Sequence, residues 1–217
     1  MTERANAVTL KGNPMTLLGP ELKPGDAAPA FSLKAGDMSD KTLADYAGKV
    51  KLISVVPSLD TPVCDTETRR FNQEAGGLGD GVVVLTVSVD TPMAQKRWCG
   101  AAGVENVECL SDFKDHAFGP AYGVRIKEIG LLARQIIVVD KNDKVAYVQL
   151  VGEVADEPDY DWGPVFLWVR HVHVRVAGLR RASRSEPRFG GHEGRPSESG
   201  FNGFLCGLRT SVFSVIR

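Results

Sequence analysis

Apolar positions fall into short runs of strand length along this chain, and helical spacing appears between some of them. "VKLISVVP" (50–57) is a β-branched run ended by Pro57, and "GVVVLTVSV" (81–89) is nearly continuous in its hydrophobicity, as a strand covered on both faces requires. Between them Phe71, Ala75 and Leu78 recur at spacings of four and three, which marks one helix face, stopped by the cluster Gly76, Gly77, Gly79. The pattern predicts a strand, helix, strand unit.

Flanking segments extend the rhythm. "VTLKGNPMTLLG" sets a Gly-Asn-Pro turn between two apolar runs and predicts an N-terminal β-hairpin, and "PAFSLKA" predicts a further strand. "TPMAQKRWCGAAG" reads as a capped helix stopped by Gly103, "VECL" as a short strand and "HAFGPAYG" as a short helix or turn. "QIIVVD" and "VAYVQLV", joined by Lys-Asn-Asp-Lys, predict a terminal hairpin. Alternating elements closed by a hairpin define a three-layer α/β domain with a mixed sheet, the thioredoxin-like arrangement.

Charge divides the chain at Asp161. Residues 1–161 hold 17 Lys+Arg against 24 Asp+Glu, a balance of −7, whereas residues 162–217 hold nine Arg against three Glu, a balance of +6. The expected organisation is one domain over 1–161 and an atypical Arg-rich tail over 162–217, partly disordered. Gly163 and Pro164 oppose a helix at its start, and the abrupt change in composition reads as a reading-frame change rather than an evolved extension. His171 and His173 share one strand face, but no further ligand has metal-site spacing, and the arginine excess comes with no nucleic-acid-binding motif. Polar residues interrupt the first twenty positions, and no apolar stretch reaches membrane-span length. The expectation is a cytoplasmic protein that engages neither membrane nor nucleic acid.

The four cysteines, Cys64, Cys99, Cys109 and Cys206, form no CxxC pair and are too few for a disulfide scaffold. Cys64 stands in "PSLDTPVC", where Thr61 suits a helix N-cap and Pro62 the first helical position. The thiol then lies in the first turn, near unsatisfied N–H groups and the positive end of the helix dipole, which favour a thiolate. Asp60 and Asp65 oppose this, so a nearby cation is needed. The residues alone leave two readings open, a reactive thiolate or an inert buried cysteine that begins a helix.

"PSLDTPVC" fits the PxxxTxxC motif of peroxiredoxins, and "GNPMTL", "FNQEA", "TPMAQKRWCGAAGVENV", "AYGV", "LLARQIIVVD" and "EPDYD" resemble the thiol peroxidase branch of that family. The similarity runs from about Val8 to Asp161. It implies a thioredoxin-like peroxiredoxin fold and a thiol-dependent hydroperoxide reductase with no metal or organic cofactor. Cys64 would be the peroxidatic cysteine, Thr61 would bond the thiolate and the peroxide, Pro57 would shape the pocket, and Arg134 would supply the cation. Cys99 would resolve the sulfenic acid as an intramolecular Cys64–Cys99 disulfide, opened again by thioredoxin, and the chain would pair as a homodimer. Two helix-borne cysteines start too far apart for a bond that requires a Cα separation of about 4.4–6.8 Å, so one helix must unwind locally. Cys109 reads as a strand residue without a role, and Cys206 matches nothing in the family. A competing function is a non-catalytic redox sensor or holdase-like binding protein on the same fold.

Overall fold

The structure is a computed structural model that describes residues 1–160. The expectations placed on the tail, including those for His171, His173 and Cys206, lie outside the described residues.

The N-terminal hairpin forms as the pattern predicts: β1 (Glu3–Leu10) pairs antiparallel with β2 (Asn13–Leu18). Next come β3 (Ser32–Ala35), β4 (Asp40–Thr42) and a single 3₁₀ turn over Leu43–Tyr46. The strand, helix, strand unit is β5 (Val50–Val55), α1 (Pro62–Ala75) and β6 (Val82–Ser88), with β5 and β6 parallel in the register Val50↔Val82 to Val55↔Val87. It is followed by α2 (Pro92–Ala102), β7 (Glu108–Ser111), α3 (Phe118–Ala121), β8 (Arg125–Ile126), β9 (Gln135–Val139) and β10 (Val145–Leu150).

Seven strands make one mixed sheet in the order β10-β9-β5-β6-β7-β3-β4, and β1-β2-β8 make a second. Within the large sheet β5, β6 and β7 are parallel, β9 runs antiparallel to β5, and β10 pairs antiparallel with β9 through the predicted terminal hairpin.

Strand alternation divides the core between the two faces of the large sheet. Val50, Leu52, Val84, Ile136 and Val138 pack with Phe71, Leu78, Val104 and Val107 on the side of α1 and α2. Ile53, Val55, Leu85, Val87, Ile137 and Val139 pack on the opposite side with Leu17, Phe118, Tyr122 and Ile126, beneath the small sheet and α3. Helices, sheet and hairpin are thus the three layers that the pattern implied, and β5 is buried on both faces. Gly19 shows how closely the hairpin layer seats: its φ is +104°, and a Cβ there would stand 1.8 Å from the Pro120 carbonyl oxygen. No helix among the described residues is long and apolar enough to cross a membrane.

Candidate active site

At the end of β5 the chain leaves the sheet and turns into α1, and Asp90 pins this crossing. One Asp90 oxygen accepts from Ser58 Oγ (2.7 Å), and the other accepts from Leu59 N–H and Ser88 Oγ (2.8 Å each). Pro57 is buried inside the pinned loop. Thr61 is the backbone N-cap (φ −102°, ψ 145°), Pro62 takes the first helical position, and Cys64 falls in the first turn, as the sequence predicts. The Thr61 hydroxyl does not cap the helix. It donates to the Ser58 carbonyl at 3.0 Å, so in this arrangement its proton is directed away from the thiol.

Cys64 is fully buried and shares a small apolar cluster with Val56, Leu59 and Cys109, against which Trp98 and Cys99 pack. Arg134, just before β9, lies across the sheet-facing side of α1 and is 1 % exposed. Its Nη2 is 3.4 Å from Cys64 Sγ and 3.2 Å from the Val154 carbonyl oxygen, and its Nη1 bonds Glu67 Oε2. The other Glu67 oxygen accepts from Ser54 Oγ at 2.6 Å, from the helix-facing side of β5. Burial works against the charged guanidinium, but Glu67 and Cys64 more than offset it and hold Arg134 above its ordinary range. Burial pushes the Glu67 carboxyl up, against the pull of Arg134 and Ser54. The result is a cation aimed at a desolvated sulfur and locked by a carboxylate one helical turn further along α1.

Sequence reading missed Glu67, Ser54 and Asp90. Glu67 left a signal, since it stands three residues after Cys64 and therefore on the same helix face. Ser54 interrupts an otherwise apolar strand run, a second visible mark. Asp90 left none that spacing could reveal.

Cys99 sits half-buried in the last turns of α2. Its carbonyl accepts from Gly103 N–H and, at 3.1 Å, from Val104 N–H, with Gly103 left-handed at φ +65°. Trp98 Nε1 donates to Asp65 Oδ1 (3.1 Å), and Arg69 donates to the Ala102 carbonyl (2.9 Å), so the two helices are clamped on either side of Cys99. Cys109 lies on β7 as expected, but its sulfur is 3.2 Å from Cys99 Sγ. The described cysteines are all free thiols.

Two clefts border this region. One, of about 280 Å³, lies over the start of α1 and is lined by Leu59, Asp60, Thr61, Pro62, Asp65 and Trp98. The other, of about 380 Å³, borders Cys99 and Cys109.

Comparison with known proteins agrees with this architecture. The Redoxin family model matches residues 23–162, and the chain belongs to that family. Within it the chain falls among the thiol peroxidases. It is 59 % identical over 155 residues to the thiol peroxidase of Halalkalibacterium halodurans, across 71 % of this chain and 93 % of that protein. Against the thiol peroxidase of Bacillus subtilis it is 54 % identical over 154 residues, across 71 % of this chain and 92 % of that protein. Among solved structures, the peroxiredoxin-like protein from Aquifex aeolicus superimposes with a TM-score of 0.71 at 47 % identity, covering 77 % of this chain and 98 % of that one. A thiol peroxidase from Chromobacterium violaceum shares the fold at 23 % identity and a TM-score of 0.67, covering 77 % and 97 %.

Proposed function

We propose that this chain reduces hydroperoxides with Cys64 as the attacking thiolate, Cys99 as the resolving thiol and a thioredoxin-type dithiol as the reductant. The observation that carries the reading is the Arg134 guanidinium 3.4 Å from a fully buried cysteine in the first turn of a helix.

Cys64 Sγ attacks the distal oxygen of the peroxide, the O–O bond breaks, and the departing oxygen leaves with a proton as water or an alcohol. Cys64 is left as a sulfenic acid. Charge passes from sulfur to oxygen in this step, and the preorganised guanidinium faces the path along which it moves. Thr61 Oγ can turn from the Ser58 carbonyl to bond the peroxide or the thiolate, and Pro57 excludes water from the floor of the site. Peroxide must pass a closed surface, and the cleft over Leu59, Thr61 and Pro62, at the start of α1, offers an approach.

Cys99 then attacks the sulfenic sulfur, expelling hydroxide that is protonated to water and forming the Cys64–Cys99 disulfide. The last turn of α2 is the segment best suited to open for this. Gly100 favours the unfolded backbone there, costing the helix interior roughly 1 kcal/mol relative to alanine, and the helix ends at Ala102, three residues after Cys99. Thioredoxin returns both thiols. In this reading the chain acts in the cytoplasm as a homodimer, which rests on the family resemblance, and light scattering of the purified chain tests the dimer.

Steady-state peroxide consumption with thioredoxin, thioredoxin reductase and NADPH tests the activity. Multiple turnover is expected, and a single equivalent consumed by the unaltered chain would overturn the reading.

A further inference from the structure

Cys99 lies between two thiols. Cys64 and Cys109 belong to one apolar cluster, and Cys99 packs against its edge, with Cys99 Sγ 3.2 Å from Cys109 Sγ. A disulfide needs about 2.05 Å between sulfurs, so that pair is roughly 1 Å from bonding distance. Cys109 is also held on a fixed element, since β7 pairs with β6 through Cys109↔Thr86 and with β3 through Leu110↔Ala35. Cys99, on the last turns of α2, is the member whose segment must open for a Cys64–Cys99 bridge to form.

Their environments differ in a useful way. The contact with Cys109 pulls the Cys99 thiol below its ordinary range. The same contact, then burial, then the charges of Cys99, Asp90 and Glu108 push the Cys109 thiol well up. Of the two thiols in contact, Cys109 is therefore the one that gives up its proton less readily. Once Cys99 is tied into a disulfide, its contribution to the suppression of Cys109 is removed.

We propose that Cys109 is a third redox thiol, which exchanges with the Cys64–Cys99 disulfide to give a Cys99–Cys109 disulfide and free Cys64 before the external reductant arrives. The inference rests on the peroxidase reading above. Deprotonated Cys109 Sγ attacks Cys99 Sγ, the Cys109–Cys99 bond forms, and the Cys99–Cys64 bond breaks. Cys64 leaves as the thiolate facing Arg134, and the proton lost by Cys109 passes to solvent. No oxidant is consumed in the exchange, because the hydroperoxide has already supplied the oxidation. The second disulfide borders the 380 Å³ cleft, whose lining includes Gln95, Lys96, Lys41 and Glu108, and is presented there to the reductant.

The test uses the full reduced chain without thioredoxin, two equivalents of hydrogen peroxide, dimedone added after mixing, and peptide mapping. Through the relay the unaltered chain rapidly consumes about two equivalents and ends with a Cys99–Cys109 bridge and a dimedone-labelled Cys64. Cys109→Ala consumes about one and ends with a Cys64–Cys99 bridge and an unlabelled chain. If the unaltered chain also stops at one equivalent with only Cys64–Cys99 bridged, the relay is wrong and the peroxidase reading stands. If it consumes no peroxide, the peroxidase reading fails and takes the relay with it. The bridge map of the unaltered chain decides the matter even if Cys109→Ala does not fold.

Discussion

Arg134 and Glu67 form a buried ion pair whose members are 1 % and 0 % exposed, and the guanidinium nitrogen Nη2, which also donates to the Val154 carbonyl, is turned toward Cys64. Isolated burial of either charge is costly, so each holds the other in place. If Arg134 also serves the proposed reaction, stability and reactivity share one arginine, and the two contributions can be separated by substitution.

Arg134→Met should slow peroxide attack about 10²–10³-fold, the usual effect of losing one preorganised group that stabilises developing charge. It should also destabilise the fold by about 3–5 kcal/mol, because Glu67 is left buried without its partner. Adding Glu67→Gln to that variant should restore much of the stability and none of the rate. Urea unfolding and stopped-flow peroxide kinetics check this. A double variant that recovers rate along with stability would show that Arg134 acts only on the fold.

The frame of this molecule was legible because β5, β6 and β9 are runs of β-branched residues, and because Thr-Pro starts both α1 and α2. Cys64 was placed in its helical turn by that same local chemistry. Short β4 and β8 were not legible, since three and two residues carry no periodicity. Pairings between distant positions were equally hidden: Glu67 with Arg134, Asp90 with Ser58, and Cys99 with Cys109 are set by the packing of α1 and α2 on the sheet. Cys109, read as an idle strand residue, is the plainest case. Its strand was visible in "VECL", and its sulfur neighbour was not. Thr61 stands at the N-cap of α1 as expected, but its side chain bonds the Ser58 carbonyl and makes no bond to a helix N–H, a detail the sequence did not carry.

Glu153 ties the N-terminal hairpin to the segment after β10. Its carboxylate accepts from Gly12 N–H (3.0 Å), Ala155 N–H (3.1 Å), Lys11 N–H (2.9 Å) and Thr9 Oγ1 (2.8 Å), which lowers it to about 2 from an ordinary 4.5. A depressed carboxylate contributes stability that is present above its unfolded value and is lost as pH falls through the folded one. The stability difference between the parent and Glu153→Gln should therefore be constant above about pH 5.5 and shrink as pH falls from about 4.5 toward 2. Urea unfolding at a series of pH values measures it, and a difference that stays flat across that window would contradict the cradle.

In the proposed reading, Cys99→Ser removes the resolving thiol and leaves the attacking one. The variant should consume about one equivalent of peroxide and then stall with thioredoxin present, because sulfenic acid formation does not need Cys99. Coupled NADPH oxidation reads this directly. Unchanged multiple turnover would assign resolution to another group.

In the proposed reading, peroxide oxidises Cys64 before any other sulfur. Its most direct test treats the reduced Cys99→Ser chain with one equivalent of hydrogen peroxide in the presence of dimedone, and locates the adduct by peptide mass mapping. Labelling is expected on Cys64, with no labelling or peroxide consumption when Cys64→Ser is added, since a hydroxyl has no accessible anion at neutral pH. An adduct on Cys109 with Cys64 unmodified, or peroxide consumption that survives Cys64→Ser, would contradict it.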